Sequence, residues 1–245
     1  MNQTQDFTKG VIWKQLLFFF FPILIGSFFQ QLYNTVDTII VGRAVGTSAL
    51  AAVGSTGNLT NLIINFYVGL STGASVVIAQ YYGAQNNKKI HQAVHTSYSL
   101  AIVSGILMML FGLFFSYQCL DAIGTPHDIL NDATLYMQLY FLCMIPGAIY
   151  NIGAGILRAV GDSKRPLYYL IVCSIVNVVF DFIFVVIFHQ GIAGAAIATV
   201  IAQSVCAILV TIQLMRTNEV YKLTLSKMKF HLPVLKKIIM IGAPA

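Results

Sequence analysis

Residues 167–188 read LYYLIVCSIVNVVFDFIFVVIF, a run without Lys or Arg whose strongly polar positions are Asn177 and Asp181. About 20 apolar residues in helical form cross the hydrocarbon core of a bilayer, so this run is long enough to span. After the short turn His189, Gln190 and Gly191, a second apolar run occupies 192–215. Two spans joined so tightly form an antiparallel membrane hairpin. The fold class that follows is all-α and integral to the membrane.

Four further runs lie upstream, at 16–41, 50–81, 94–117 and 133–157, which makes a six-helix transmembrane bundle. The 245 residues are 58% hydrophobic and 9% charged, with a mean hydropathy of +0.79. Soluble domains carry about 25% charged residues, so a water-soluble globular protein is excluded. The net charge of +6 does not indicate a nucleic-acid partner, because the bases sit between apolar runs and form no single phosphate-binding patch. The first run is too long for a secretory signal and ends in no small-residue cleavage pattern, so it reads as a retained helix.

Orientation follows from the bases, since Lys and Arg beside a span stay in the cytoplasm. With the amino terminus inside, the inner segments hold Lys9, Lys14, Lys88, Lys89, Arg158, Lys164, Arg165, Arg216, Lys222, Lys227, Lys229, Lys236 and Lys237, and of the 14 bases only Arg43 falls outside. The expected placement is multi-pass in the cytoplasmic (inner) membrane, with both ends of the lobe cytoplasmic. The domain reading is a transmembrane lobe at 1–215, a basic linker at 216–236 and the start of a seventh helix at 237–245. In the linker Tyr221, Leu225, Met228, Leu232 and Leu235 recur at helical spacing between lysines, which reads as a segment lying on the inner leaflet. Lys236 precedes Pro244 by eight residues, as Lys14 precedes Pro22. This is the mark of a parallel repeat, and the chain is expected to be the amino-terminal half of a longer protein.

An ionisable group at membrane depth costs on the order of 2.5–3.5 kcal/mol and normally marks a function. Two are present, Asp37 and Asp181, each in a one-faced polar stripe: Gln30, Tyr33, Asn34, Asp37 in the first helix, and Ser174, Asn177, Asp181 in the fifth. Asn58, Asn61 and Asn65 repeat the pattern in the second helix, and Thr199 and Gln203 lie in the sixth. Asp181 and Thr199 are each nine residues from position 190, so both lie roughly 13 Å below the outer turn. Asp37, five residues before Gly42, is also in the outer half. Asp37, Asn177, Asp181 and Thr199 can therefore form one oxygen-rich site for H⁺ or, with Asp37 and Asp181 as metal ligands, for Na⁺ as a hard cation. The alternative is polar glue between helices, which stays open above all for the asparagines of the second helix.

The remaining features have plainer readings. Cys119, Cys143, Cys173 and Cys206 lack the close pairing of metal or redox sites and read as packing residues. His91 and His95 stand four apart without a nearby third ligand. The triplets at Asn2 and Asn58 match a glycosylation pattern by chance. Gly69-x-x-x-Gly73, and Gly191 with Ala195 and Thr199, permit close helix contact. Pro22 is expected to bend the first helix.

Several of these stretches, taken together, resemble the multidrug and toxic compound extrusion family of cation-coupled efflux transporters. They are Pro22 with Gln31-Leu-Tyr-Asn-Thr-Val-Asp-Thr-Ile-Ile-Val-Gly42, then Ala79-Gln-Tyr-Tyr-Gly-Ala84 before Lys88-Lys89, and Arg158-Ala-Val-Gly-Asp-Ser-Lys-Arg-Pro166. Asn177-Val-Val-Phe-Asp181 and Gly194-Ala-Ala-Ile-Ala-Thr199 complete the set. The resemblance covers nearly the whole chain but only the first of the family's two six-helix lobes.

By position, the resemblance implies that Asp37, Asn177, Asp181 and Thr199 form the cation site of this lobe. It also implies that Gln30, Tyr33 and Asn34 face a substrate cavity, to which the stripe of Asn58 and Asn61 is added here, and that ion entry alters the first helix near Pro22. The expected activity is antiport: inward H⁺ or Na⁺ drives export of amphipathic, often cationic, drugs. The expected partners are the drug, membrane lipid and a carboxy-terminal lobe or a second copy, with no further cofactor. A lipid-linked oligosaccharide flippase of related architecture is an alternative, although its pyrophosphate calls for basic residues inside the spans. A passive channel is another. An enzyme is not expected, because no nucleophile, base and acid converge.

Overall fold

The computed structural model describes residues 12–244 and is all-helical there. Lys9, the triplet at Asn2 and Ala245 lie outside the described residues. Eight α-helices follow in chain order: α1 Ile12–Ala44, α2 Thr47–Gly83, α3 Asn87–Ala122, α4 His127–Phe141, α5 Met144–Ala159, α6 Lys164–Asp181, α7 Gly191–Arg216 and α8 Leu232–Gly242. Five of them (α1, α2, α3, α6 with its continuation, and α7) are each long and apolar enough to cross a membrane, and α4 with α5 make a sixth span bent by 47°.

The bend has a local cause. Pro146 lacks an N–H and its ring collides with the carbonyl four residues back, so outside a first turn it kinks or breaks a helix. The chain duly restarts as α5 at Met144, with Cys143 bonding back to the Tyr140 carbonyl at 3.0 Å. Pro22, by contrast, sits inside α1 without ending it.

Helix α5 is the central post, packed against α2, α3 and α7, while α6 pairs with α7 and α1 lies along α6. Small residues allow these approaches. A Cβ at Gly155 of α5 would stand 2.5 Å from the Ser71 hydroxyl and 2.7 Å from that of Ser75, so α2 and α5 touch where neither has bulk. The outward faces carry Phe18, Phe21, Phe28, Leu62, Leu107 and Phe114, all exposed. A helical bundle with an apolar exterior and internally bonded backbone suits hydrocarbon as its solvent.

Between α7 and α8 the helical spacing does not become a helix. Residues 217–231 form an irregular strap with one 3₁₀ turn, Leu225–Lys227. Tyr221 and Leu223 are buried against the bundle, while Leu225 and Leu232 are exposed. The strap is tied by Leu223 N–H to the Leu214 carbonyl at 2.8 Å and by Thr224 N–H to His95 Nε2 at 3.1 Å. Backbone groups satisfied by the bundle leave no need for a helical ladder.

Helix α8 then returns onto α2. A Cβ at Gly242 would lie 2.6 Å from the Gly69 carbonyl oxygen, and one at Gly73 would strike the Ile238 carbonyl. The Gly69-x-x-x-Gly73 pattern is thus a helix-crossing seat, with α8 as its occupant.

Candidate functional site

The site is built where α6 stops being regular. The α-helical ladder ends at Asp181, and Phe182–Ile187 continues as a π-helix, with Phe188 N–H reaching back five residues to the Ile183 carbonyl at 2.9 Å. Such wide turns are rare and recur at functional sites. The turn that follows is closed by positive φ at His189 and Gly191. It sets α7 antiparallel to α6.

Asp181 is fully buried, and Asn177, one turn earlier, nearly so. Asn177 Nδ2 donates to Thr199 Oγ1 at 3.4 Å, and Thr199 in turn donates to the Ala195 carbonyl at 3.1 Å. Asp37 arrives from α1, half-buried, close enough for its charge to act on Asp181. Four buried oxygens here have no hydrogen-bond donor: Asp37 Oδ1, Asn177 Oδ1 and both carboxylate oxygens of Asp181. Native interiors rarely leave such acceptors bare. Such acceptors call for a donor or a positive charge, which a water molecule, a proton or a small hard cation can each supply.

No group of three His, Cys, Asp or Glu converges to hold a metal among the described residues. The oxygens gathered here are an amide and a hydroxyl beside two carboxylates. His91 and His95 do not form a metal pair: both ring nitrogens of His95 are engaged, Nδ1 with the His91 carbonyl at 2.8 Å and Nε2 with Thr224.

The substrate-cavity residues separate. Gln30 lines a cavity of about 240 Å³ between α1, α2, α5, α6 and α7, together with Pro22, Asn151 and Gln203. Tyr33 is half-buried and reaches Gln203. Asn34, Asn58 and Asn61 do not line that cavity; they lie exposed on α1 and α2. Two tyrosines the sequence did not single out, Tyr136 and Tyr140 of α4, stack with centroids 6.1 Å apart, and the first lies within electrostatic reach of Asp37, Asp181 and Tyr33. Their spacing of four was visible, but the side of the bundle they face was not.

Two further readings change. Cys173 of α6 and Cys206 of α7 are joined as a disulfide, while Cys119 and Cys143 are free. Residues 17 and 16 positions from residue 190 on paired helices are level, and that arithmetic was available in the sequence. Arg158, read as an inner-loop base, lines the cavity.

The fold defines a multi-pass bundle of membrane-spanning helices. The MatE family model matches residues 22–183, and the chain belongs to that family. It is similar to the probable multidrug resistance protein YoeA of Bacillus subtilis (strain 168), at 32% identity over 203 residues covering 81% of this chain and 44% of the relative. YpnP of the same organism, also described as a probable multidrug resistance protein, is 30% identical over 200 residues, covering 82% and 45%. A structure described as MATE in the bent conformation superposes with a TM-score of 0.87 at 28% identity, over 94% of this chain and 52% of that one. An outward-facing MATE family multidrug resistance transporter gives the same score and identity over 94% and 51%. The chain therefore spans about half the length of the relatives it matches.

Proposed function

We propose that this lobe belongs to a cation-coupled antiporter that expels amphipathic drugs across the cytoplasmic membrane, with Asp37, Asn177, Asp181 and Thr199 as its ion site. The observation that carries the reading is Asp181, fully buried with both oxygens lacking donors and facing a second acid rather than a base. A charge in that position is stable only when an ion shares it.

In the outward-facing state H⁺ or Na⁺ enters, neutralises the acids and weakens the hold on a cationic drug, which leaves outward. The gradient then returns the ion to the cytoplasm as the lobe rocks against its partner lobe, with about 2.3 kcal/mol per charge from each 100 mV of potential. Coupling requires the ion to favour one conformation over the other. Pro22 in α1, the helix that also carries Asp37, is the expected moving joint. The exposed Asn34, Asn58 and Asn61 form the polar face turned toward the second lobe.

The test is drug efflux in sealed everted vesicles from cells expressing the whole gene product. Asp181→Asn should abolish gradient-driven efflux while the protein remains folded in the membrane; efflux at the parent rate would discard the assignment.

A further inference from the structure

The cavity lined by Gln30 and Gln203 has an unusual charge balance. Arg158 lines it, no Asp or Glu does, and the guanidinium makes no ion pair among the described residues. Among the described residues it donates one long hydrogen bond, 3.5 Å from Nη2 to the Ser71 hydroxyl. The nearest acid in sequence, Asp162, is taken: it bonds Arg165 through both its backbone N–H, at 3.1 Å, and its guanidinium, at 3.1 Å. A guanidinium presents five donors in a fork that fits an oxyanion, so most of its bonding capacity is unspent. Gln203 Oε1, on the same cavity wall, is also buried without a partner.

The rest of the lining holds both polar and apolar groups. Around Arg158 stand the Ser71, Ser163 and Tyr150 side chains, whereas Ile23, Leu167 and Leu170 supply an apolar wall. Ser27, Val68 and Thr72, all exposed, frame the mouth between α1 and α2, on the α2 face that continues the stripe of Asn58, Asn61 and Asn65. The pocket thus pairs one oxyanion receptor with a short greasy slot, open to the polar face of the lobe.

The geometry points to a binding site for an amphipathic anion, a carboxylate or phosphate head seated on Arg158 with its short apolar tail along Ile23, Leu167 and Leu170. The site adds a charge preference to the efflux reading: a drug carrying both signs would place its acid here and its base toward Asp37 and Asp181. Only the word drug rests on that reading. Binding at Arg158 stands or falls without the ion site, and the same head could also come from an anionic phospholipid.

The experiment is equilibrium binding of radiolabelled octanoate to the purified full chain in phosphatidylcholine nanodiscs, against octanol and octylammonium. A charge-assisted guanidinium contact should favour octanoate over octanol by about tenfold. Arg158→Gln should erase that preference, and Arg158→Lys should keep part of it. Equal binding of octanoate and octanol to the parent, or an undiminished preference in Arg158→Gln, overturns the proposal. Should Arg158→Gln fail to fold, Ala154→Leu fills the slot with the charge retained: lost octanoate binding supports the site, and binding at parent affinity overturns it. Repeating the measurement in nanodiscs containing phosphatidylglycerol separates the sources. Arg158-dependent competition identifies a lipid headgroup as occupant, and unchanged octanoate affinity identifies a soluble amphipath; either supports the oxyanion site. Loss of ion-driven efflux in Asp181→Asn with octanoate binding intact shows that the two sites fail separately.

Discussion

Asn177 of α6 hands a hydrogen bond to Thr199 of α7 across 3.4 Å, while its own carbonyl oxygen stays buried without a donor, as do both carboxylate oxygens of Asp181. The N–H side of the amide is spent on the neighbouring helix, and its oxygen is left as a free acceptor.

Thr199→Val keeps the shape but removes the acceptor, freeing the Asn177 amide to rotate. The apparent affinity for the coupling ion should fall about tenfold, the worth of one hydrogen bond to a charged site, with little loss of thermal stability. Titrating H⁺ or Na⁺ dependence of efflux in vesicles of the whole gene product checks this; an unchanged midpoint would remove Thr199 from the site.

Gly155→Ala should destabilise the bundle by about 1–3 kcal/mol, the usual range for overpacking. The added Cβ meets the Ser71 and Ser75 hydroxyls at 2.5 and 2.7 Å and the Ser71 carbonyl at 3.1 Å, and the last is backbone that cannot step aside. Thermal unfolding in detergent reads the effect, and a melting temperature equal to the parent's contradicts the α2–α5 contact.

Tyr221→Ala removes the largest buried side chain of the strap. Loss of a buried aromatic costs about 3–5 kcal/mol in a rigid core; here the strap can partly detach instead, so trypsin should cut at Lys222 much faster than in the parent. Equal cleavage rates would mean the strap is not held by this residue.

Denatured protein without reductant should react with maleimide at two thiols, Cys119 and Cys143, and with reductant at four. Four from the outset would show that Cys173 and Cys206 lie side by side unbonded.

Topology can be read by cysteine labelling in intact cells. A cysteine replacing Arg43 should react with a membrane-impermeant maleimide, and one replacing Lys227 should react only after permeabilisation, because the retained bases mark the inner side. The opposite pattern would invert the orientation.

Composition and residue order are enough to settle the solvent, the number of spans and the polar inventory of the bundle. Hydrocarbon forces each span to satisfy its own backbone, so length and apolarity suffice to find it. Its cost for charge makes Asp37 and Asp181 conspicuous without coordinates, and antiparallel counting from residue 190 placed Thr199 level with Asp181. Tertiary structure alone decided which way those stripes face. Depth along a helix axis is a local quantity, fixed by counting residues, but rotation about that axis is set by what the neighbouring helices offer. For that reason Asn58 and Asn61 lie exposed, Arg158 leaves the loop for the cavity wall, Cys206 finds Cys173, and a periodic linker becomes a strap anchored by Tyr221.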